Sequence, residues 1–173
     1  MKNCLDHLEQ IRNIMKNILK TYSHASIDLF VGFSTGLSQQ GTLVSFDKES
    51  GVFVLQSPDA FNTFSFYSDN IEYILVLGSE RLKASSGNEK HSCFDICKNR
   101  EQCCPLVEKI IPFANKSSFF RLSLDSASFP FSRLLSLPGN RGYIKIIDIT
   151  GTYWIPCKNI IYFALITLPA TNC

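Results

Sequence analysis

The sequence predicts a mainly β protein, two small β-barrels in tandem preceded by an amphipathic helix. Three observations carry that expectation. Fourteen Phe and six Tyr favour strands, because aromatic side chains suit a pleated, half-buried surface. Residues 26–77 break into about five short apolar stretches joined by tight turns, which describes a small barrel better than an open sandwich. The end of that pattern then recurs in residues 142–166, as a duplicated unit would.

The helix comes first. Leu5, Leu8, Ile11, Met15, Ile18, Leu19 and Tyr22 recur at three- and four-residue steps, while Glu9, Arg12, Lys16 and Lys20 fall mostly outside that stripe. Such a stripe caps the open end of a barrel; pairing with a second copy is the alternative.

From Ser26 the period shortens. Residues 27–33 are apolar, Ser34-Thr35-Gly36 reads as a turn, and residues 41–46 form the next strand. Asp47-Lys48-Glu49-Ser50-Gly51 is a polar hairpin loop ending in a glycine that tolerates positive φ. Val52–Gln56 runs back, residues 57–62 form a loop, and Thr63–Tyr67 and residues 71–77 complete the first unit.

Residues 78–92 are polar and aperiodic, as a linker would be. A Cys-rich stretch, 93–104, follows, and residues 105–113 read as a short helix or strand. The expected division is therefore 1–79 for the helix and first barrel, 80–109 for a polar, Cys-rich linker, and 110–173 for the second barrel.

The repeat is concrete. Gly51-Val52-Phe53-Val54-Leu55-Gln56 answers to Gly142-Tyr143-Ile144-Lys145-Ile146-Ile147. Thr63-Phe64-Ser65-Phe66-Tyr67 answers to Thr152-Tyr153-Trp154-Ile155-Pro156, and Asn70-Ile71 to Asn159-Ile160, each pair opening an apolar strand. Trp154, set among Tyr153, Ile155 and Phe163, is expected to be buried.

Residues 26–77 resemble Sm-like and SH3-like small barrels, and Gly41-Thr42-Leu43-Val44-Ser45-Phe46-Asp47 is similar to the strand and turn that open the Sm signature. Residues 153–160, Tyr-Trp-Ile-Pro-Cys-Lys-Asn-Ile, resemble units of short barrel proteins of spore-forming bacteria, several associated with the spore coat. The first unit departs from that second pattern by lacking the proline.

In Sm-like RNA binders, as the resemblance implies, an Asn after the Asp turn and a Gly in the last hairpin form the nucleotide pocket. Here the turn runs on to Ser50-Gly51 without an Asn, and Glu72 stands where positive charge would help. Residues 1–79 hold five Lys/Arg against eight Asp/Glu, a balance of −3, which repels phosphates. Nucleic acid is therefore not the expected partner.

Residues 110–173 hold six Lys/Arg against two Asp/Glu, a balance of +4. A molecule so divided can associate head to tail, since opposite patches orient encounters. Charged residues are only 18% of the chain, below the usual ~25%, so a surface partly covered by other protein chains is expected. No apolar stretch is long enough to span a bilayer, and the start lacks the apolar run of a signal peptide. Synthesis in a cytoplasm is expected, with deposition on a spore surface implied by the resemblance.

No catalytic constellation is visible. His7, His24 and His91 have no nucleophile nearby in sequence and read as surface residues; the carboxylates are scattered. The protein is expected to be no enzyme and to need no cofactor.

The cysteines carry the chemistry that remains. Cys93, Cys97, Cys103 and Cys104, with His91, gather four thiols and an imidazole within fourteen residues. They could hold zinc tetrahedrally, pair as disulfides, or stay idle thiols; the spacing matches no standard zinc motif. Cys4 and Cys173 stand next to the two ends, where a thiol is well placed to cross-link a neighbouring molecule. The expectation is a structural or adaptor protein that forms a homo-oligomer or binds coat proteins and is locked by disulfides. An Sm-like nucleic-acid binder and a metal- or redox-responsive protein centred on the Cys cluster are the alternatives.

Overall fold

The computed structural model describes residues 5–81, 105–114, 118–136 and 142–166. Helix α1 spans His7–Thr21. Asp6 caps it by accepting the Glu9 N–H at 2.7 Å, and Lys20 lies in its last turn, where a cation suits the dipole. Its buried face is His7, Gln10, Ile11, Ile14, Met15 and Ile18. Relative to the apolar stripe that face is turned toward two polar residues, and Leu19 is left exposed. The expectation of a surface His7 is thereby corrected: it is 7% exposed.

Strands β1 (Asp28–Phe33), β2 (Ser38–Phe46), β3 (Val52–Gln56), β4 (Thr63–Tyr67) and β5 (Ile71–Val76) make the first unit, with a one-turn 3-10 helix, Ser68–Asn70, before β5. Helix α2 (Pro105–Ile110) leads into β6 (Phe119–Ser123), β7 (Ser128–Ser136), β8 (Tyr143–Ile147), β9 (Thr152–Pro156) and β10 (Tyr162–Ile166). The turn Cys157–Asn159 stands before β10 as Ser68–Asn70 stands before β5.

The strand order is β10-β6-β7-β8-β9-β5-β1-β2-β3-β4, antiparallel throughout. Read as halves, it is the same five-strand order twice. Register agrees as well. Val52↔Tyr67 through Gln56↔Thr63 in β3–β4 matches Tyr143↔Pro156 through Ile147↔Thr152 in β8–β9. The long second strand of each half carries a bulge at the same place, between Leu43 and Ser45 and between Leu134 and Ser136.

Gly51 and Gly142 occupy equivalent turns at φ +71° and +69°. Each lends its carbonyl to the turn before the last strand: Ser68 N donates to Gly51 O and Cys157 N to Gly142 O, both at 2.9 Å. Any Cβ at these glycines would strike α1, on Leu8 or Gln10.

The described strands do not close into the two separate barrels expected. The sheet is open, and β9 pairs with β5 through Ile74↔Trp154, Leu75↔Tyr153 and Val76↔Thr152. The physical reason is the composition of these two strands, which are apolar on both faces. Pairing them leaves each face of the seam covered by a different core. On one face Ile74, Val76, Trp154 and Tyr143 join α1, β1 and β3; on the other Leu75 and Tyr153 join Phe129, Leu134, Val107 and β10.

Candidate interaction site: the seam and the free sheet edges

The seam between the halves is held by more than its ladder. Trp154, 0% exposed, donates its indole N–H to Asn17 Oδ1 of α1 at 2.9 Å and meets the Tyr22 ring edge-on at 6.4 Å. The Lys145 ammonium sits 4.8 Å from the centre of the indole. On the opposite face Tyr73, Phe129 and Tyr153 pack edge to face, 4.8–5.7 Å apart. Burial raises the Tyr73 and Tyr153 hydroxyl pKa values above the ordinary 10 and lowers that of the Lys145 ammonium. All three shift in the direction that removal from water dictates.

Two polar clasps close the end of the seam at Ile71 and Glu72. Asn159 Nδ2 donates to the carbonyls of Ile71 (2.8 Å) and Glu72 (3.2 Å), tying the second half's turn to the first half's last strand. The Glu72 carboxylate, 2% exposed, accepts the Ser126 N–H at 3.1 and 3.2 Å and contacts its hydroxyl. Ser126 lies in the β6–β7 turn, so that turn also bridges the halves.

Helix α1 lies over the seam, against the Ser68–Asn70 turn, β8 and β9. His7 Nε2 donates to Ser68 O at 2.9 Å, while its Nδ1 is buried without a partner. Burial, then the Lys158 ammonium, pushes its pKa below 6.5; the Ser68 carbonyl and the Asp69 and Asp6 carboxylates oppose this and are outweighed.

The seam uses one edge of each half and leaves the other. Among the described residues β4 pairs only with β3, and β10 only with β6. Large apolar side chains gather there: Phe61 is 89% exposed and Tyr67 66% beside β4, while Ile161 is 59% exposed and Tyr162 48% at β10. Unpaired edges with such side chains are templates for another strand.

The hydrogen-bond phase of β4 shows which groups it offers. Ser57 N donates to Asn62 O and Ser68 N to Gly51 O, which puts the Phe64 and Phe66 N–H groups toward β3. Those of Thr63, Ser65 and Tyr67 therefore point away from the sheet. The same phase holds in β9, where Thr152 N leaves β8 and meets Ser79 Oγ of the other half at 3.0 Å.

Of the residues singled out in the sequence, Cys93, Cys97, Cys103 and Cys104, the proposed metal or disulfide cluster, lie outside the described residues, with His91. So do Cys4 and Cys173, the proposed cross-linking pair. Cys157 is buried in the turn before β10. Among the described residues no group of three or more His, Cys, Asp or Glu is placed to hold a metal ion. No described helix is long and apolar enough to cross a membrane.

Sequence reasoning missed the clasps. Asn159 was visible as half of the Asn-Ile repeat, but nothing local tells that its amide reaches the other half; Glu72 reads as a surface charge until the partner turn is placed over it. No family model, curated protein or solved structure matches the chain.

Proposed function

We propose that the protein is a non-enzymatic structural or adaptor component, two small SH3/Sm-like units in tandem, that works by joining protein chains along its sheet edges. The observation that carries this reading is the duplication itself. Two halves of the same strand order are already joined edge to edge by β5 and β9, while β4 and β10 remain unpaired among the described residues. An edge pairing that works within the chain is a template for one between chains.

The partner is a protein, either a further copy or a coat protein, and the spore surface is the setting implied by the resemblance of residues 153–160. Disulfides through Cys4 and Cys173 would then make a reversible assembly covalent. The acidic first half and the exposed apolar rather than basic edges favour this over nucleic-acid binding.

Light scattering of the purified protein, with and without reductant, tests it. Particles larger than the 19.5 kDa monomer are expected in both conditions, larger and denaturant-resistant without reductant. A monomer in both overturns self-assembly, and an assembly that appears only with co-purified RNA overturns the reading as a whole.

A further inference from the structure

Each strand of the seam has a counterpart at an edge that is unpaired among the described residues. The turns Ser68–Asn70 and Cys157–Asn159 are equivalent, so β9 corresponds to β4 and β5 to β10. Trp154, Tyr153 and Thr152 thus answer to Ser65, Phe64 and Thr63, while Ile74, Leu75 and Val76 answer to Phe163, Ala164 and Leu165.

We propose that β4 of one molecule adds to β10 of a second copy, head to tail, repeating the seam's register as Ser65↔Phe163, Phe64↔Ala164 and Thr63↔Leu165. The inference rests on the edge-joining reading above and names its partner, polarity and register.

The clasp is duplicated too. Asn70 is the counterpart of Asn159, and its side chain is exposed with no hydrogen-bond partner among the described residues. In the repeated contact its Nδ2 donates to the Ile160 and Ile161 carbonyls of the second copy, as Asn159 does to Ile71 and Glu72.

Charge agrees with the polarity. Asp69 sits in the turn that follows β4 and Lys158 in the turn that precedes β10. In the seam this same pair of turns flanks His7, where the charges of Lys158 and Asp69 are both felt. A head-to-tail contact sets an Asp69 turn beside a Lys158 turn again. Contacts of β4 with β4, or β10 with β10, would oppose like charges.

The outer contact is weaker than the seam. Trp154 and Ile74 become Ser65 and Phe163, and Phe30, half-buried against the core of the second half, becomes Arg121. Less apolar surface is buried, so association should be reversible and depend on concentration. The contact is heterologous, and the rotation between copies decides whether it closes as a ring or runs on as a filament.

Sedimentation velocity across protein concentration, under reducing conditions, tests the inference with two variants. Ser65→Pro removes the central outward N–H of β4 without touching the β3–β4 ladder, a position where an edge strand accepts proline. Asn70→Ala removes the clasp from an exposed site, and it carries the test by itself if circular dichroism shows Ser65→Pro unfolded. Wild type should grow in size with concentration. Ser65→Pro should stay monomeric alone and shorten wild-type species when mixed in, since it can add at one edge only. Asn70→Ala should associate about tenfold more weakly. Folded variants that associate like wild type overturn the register and clasp while leaving edge-joining intact. A wild type that stays monomeric at every concentration overturns the register and clasp together with any edge-joining between copies.

Discussion

His7 shows how one proton bears on the seam. Its Nε2–H is committed to Ser68 O, so a second proton would have to enter at Nδ1, buried and within the field of Lys158. The folded pKa is therefore below 6.5, while the unfolded chain keeps the ordinary value. Between the two, the unfolded state binds more protons, so stability rises with pH through that window and is lost as pH falls through it. His7→Gln preserves a donor for Ser68 and removes the titration. Wild type should lose more melting temperature than this variant between about pH 7 and about pH 5.5, where an ordinary imidazole charges. Parallel pH profiles for the two proteins would show that His7 does not titrate on unfolding.

At the scale of the element, β9 and β4 occupy equivalent positions with opposite fates. Trp154→Ala should cost ~3–5 kcal/mol, because the indole is fully buried between α1 and β5 and its N–H is hydrogen-bonded. Ser65→Ala, at the same place in the other half, should stay within ~0.5 kcal/mol, since an exposed edge side chain loses almost nothing. Urea denaturation of both variants checks the pair, and an unchanged midpoint for Trp154→Ala would place the indole outside the core. The contrast was partly legible. Gly51 with Gly142, Thr63 with Thr152 and Asn70 with Asn159 are local features, so the repeat could be read from residues alone. The β5–β9 pairing could not, because alternation reports which face is buried and never which strand lies alongside. One signal was available. Thr-Phe-Ser-Phe-Tyr alternates as an edge strand does, whereas Thr-Tyr-Trp-Ile-Pro is apolar on both faces and buried at all five positions, as an interior strand is. The buried face of α1 was legible only in part, since it includes the polar His7 and Gln10, whose burial follows from the turn and glycines beneath them.

Over the whole molecule the charge division and the sheet's direction coincide. The half ending in β4 carries −3 over residues 1–79, and the half ending in β10 carries +4 over residues 110–173. Successive copies joined head to tail therefore present opposite signs at each contact, and copies joined like to like present the same sign. Salt distinguishes these arrangements because exposed charges are screened over a Debye length of ~30 Å at 0.01 M and only ~3 Å at 1 M. A head-to-tail contact with modest apolar burial should weaken as salt rises, mainly through slower association, since steering is what screening removes first. A like-to-like contact should strengthen, because screening relieves its repulsion. Sedimentation velocity at fixed protein concentration and rising NaCl should thus show the weight-average size falling toward the monomer. A size that grows with salt would assign the contact to two like edges, and would do so even if the Ser65→Pro variant were already known to be monomeric.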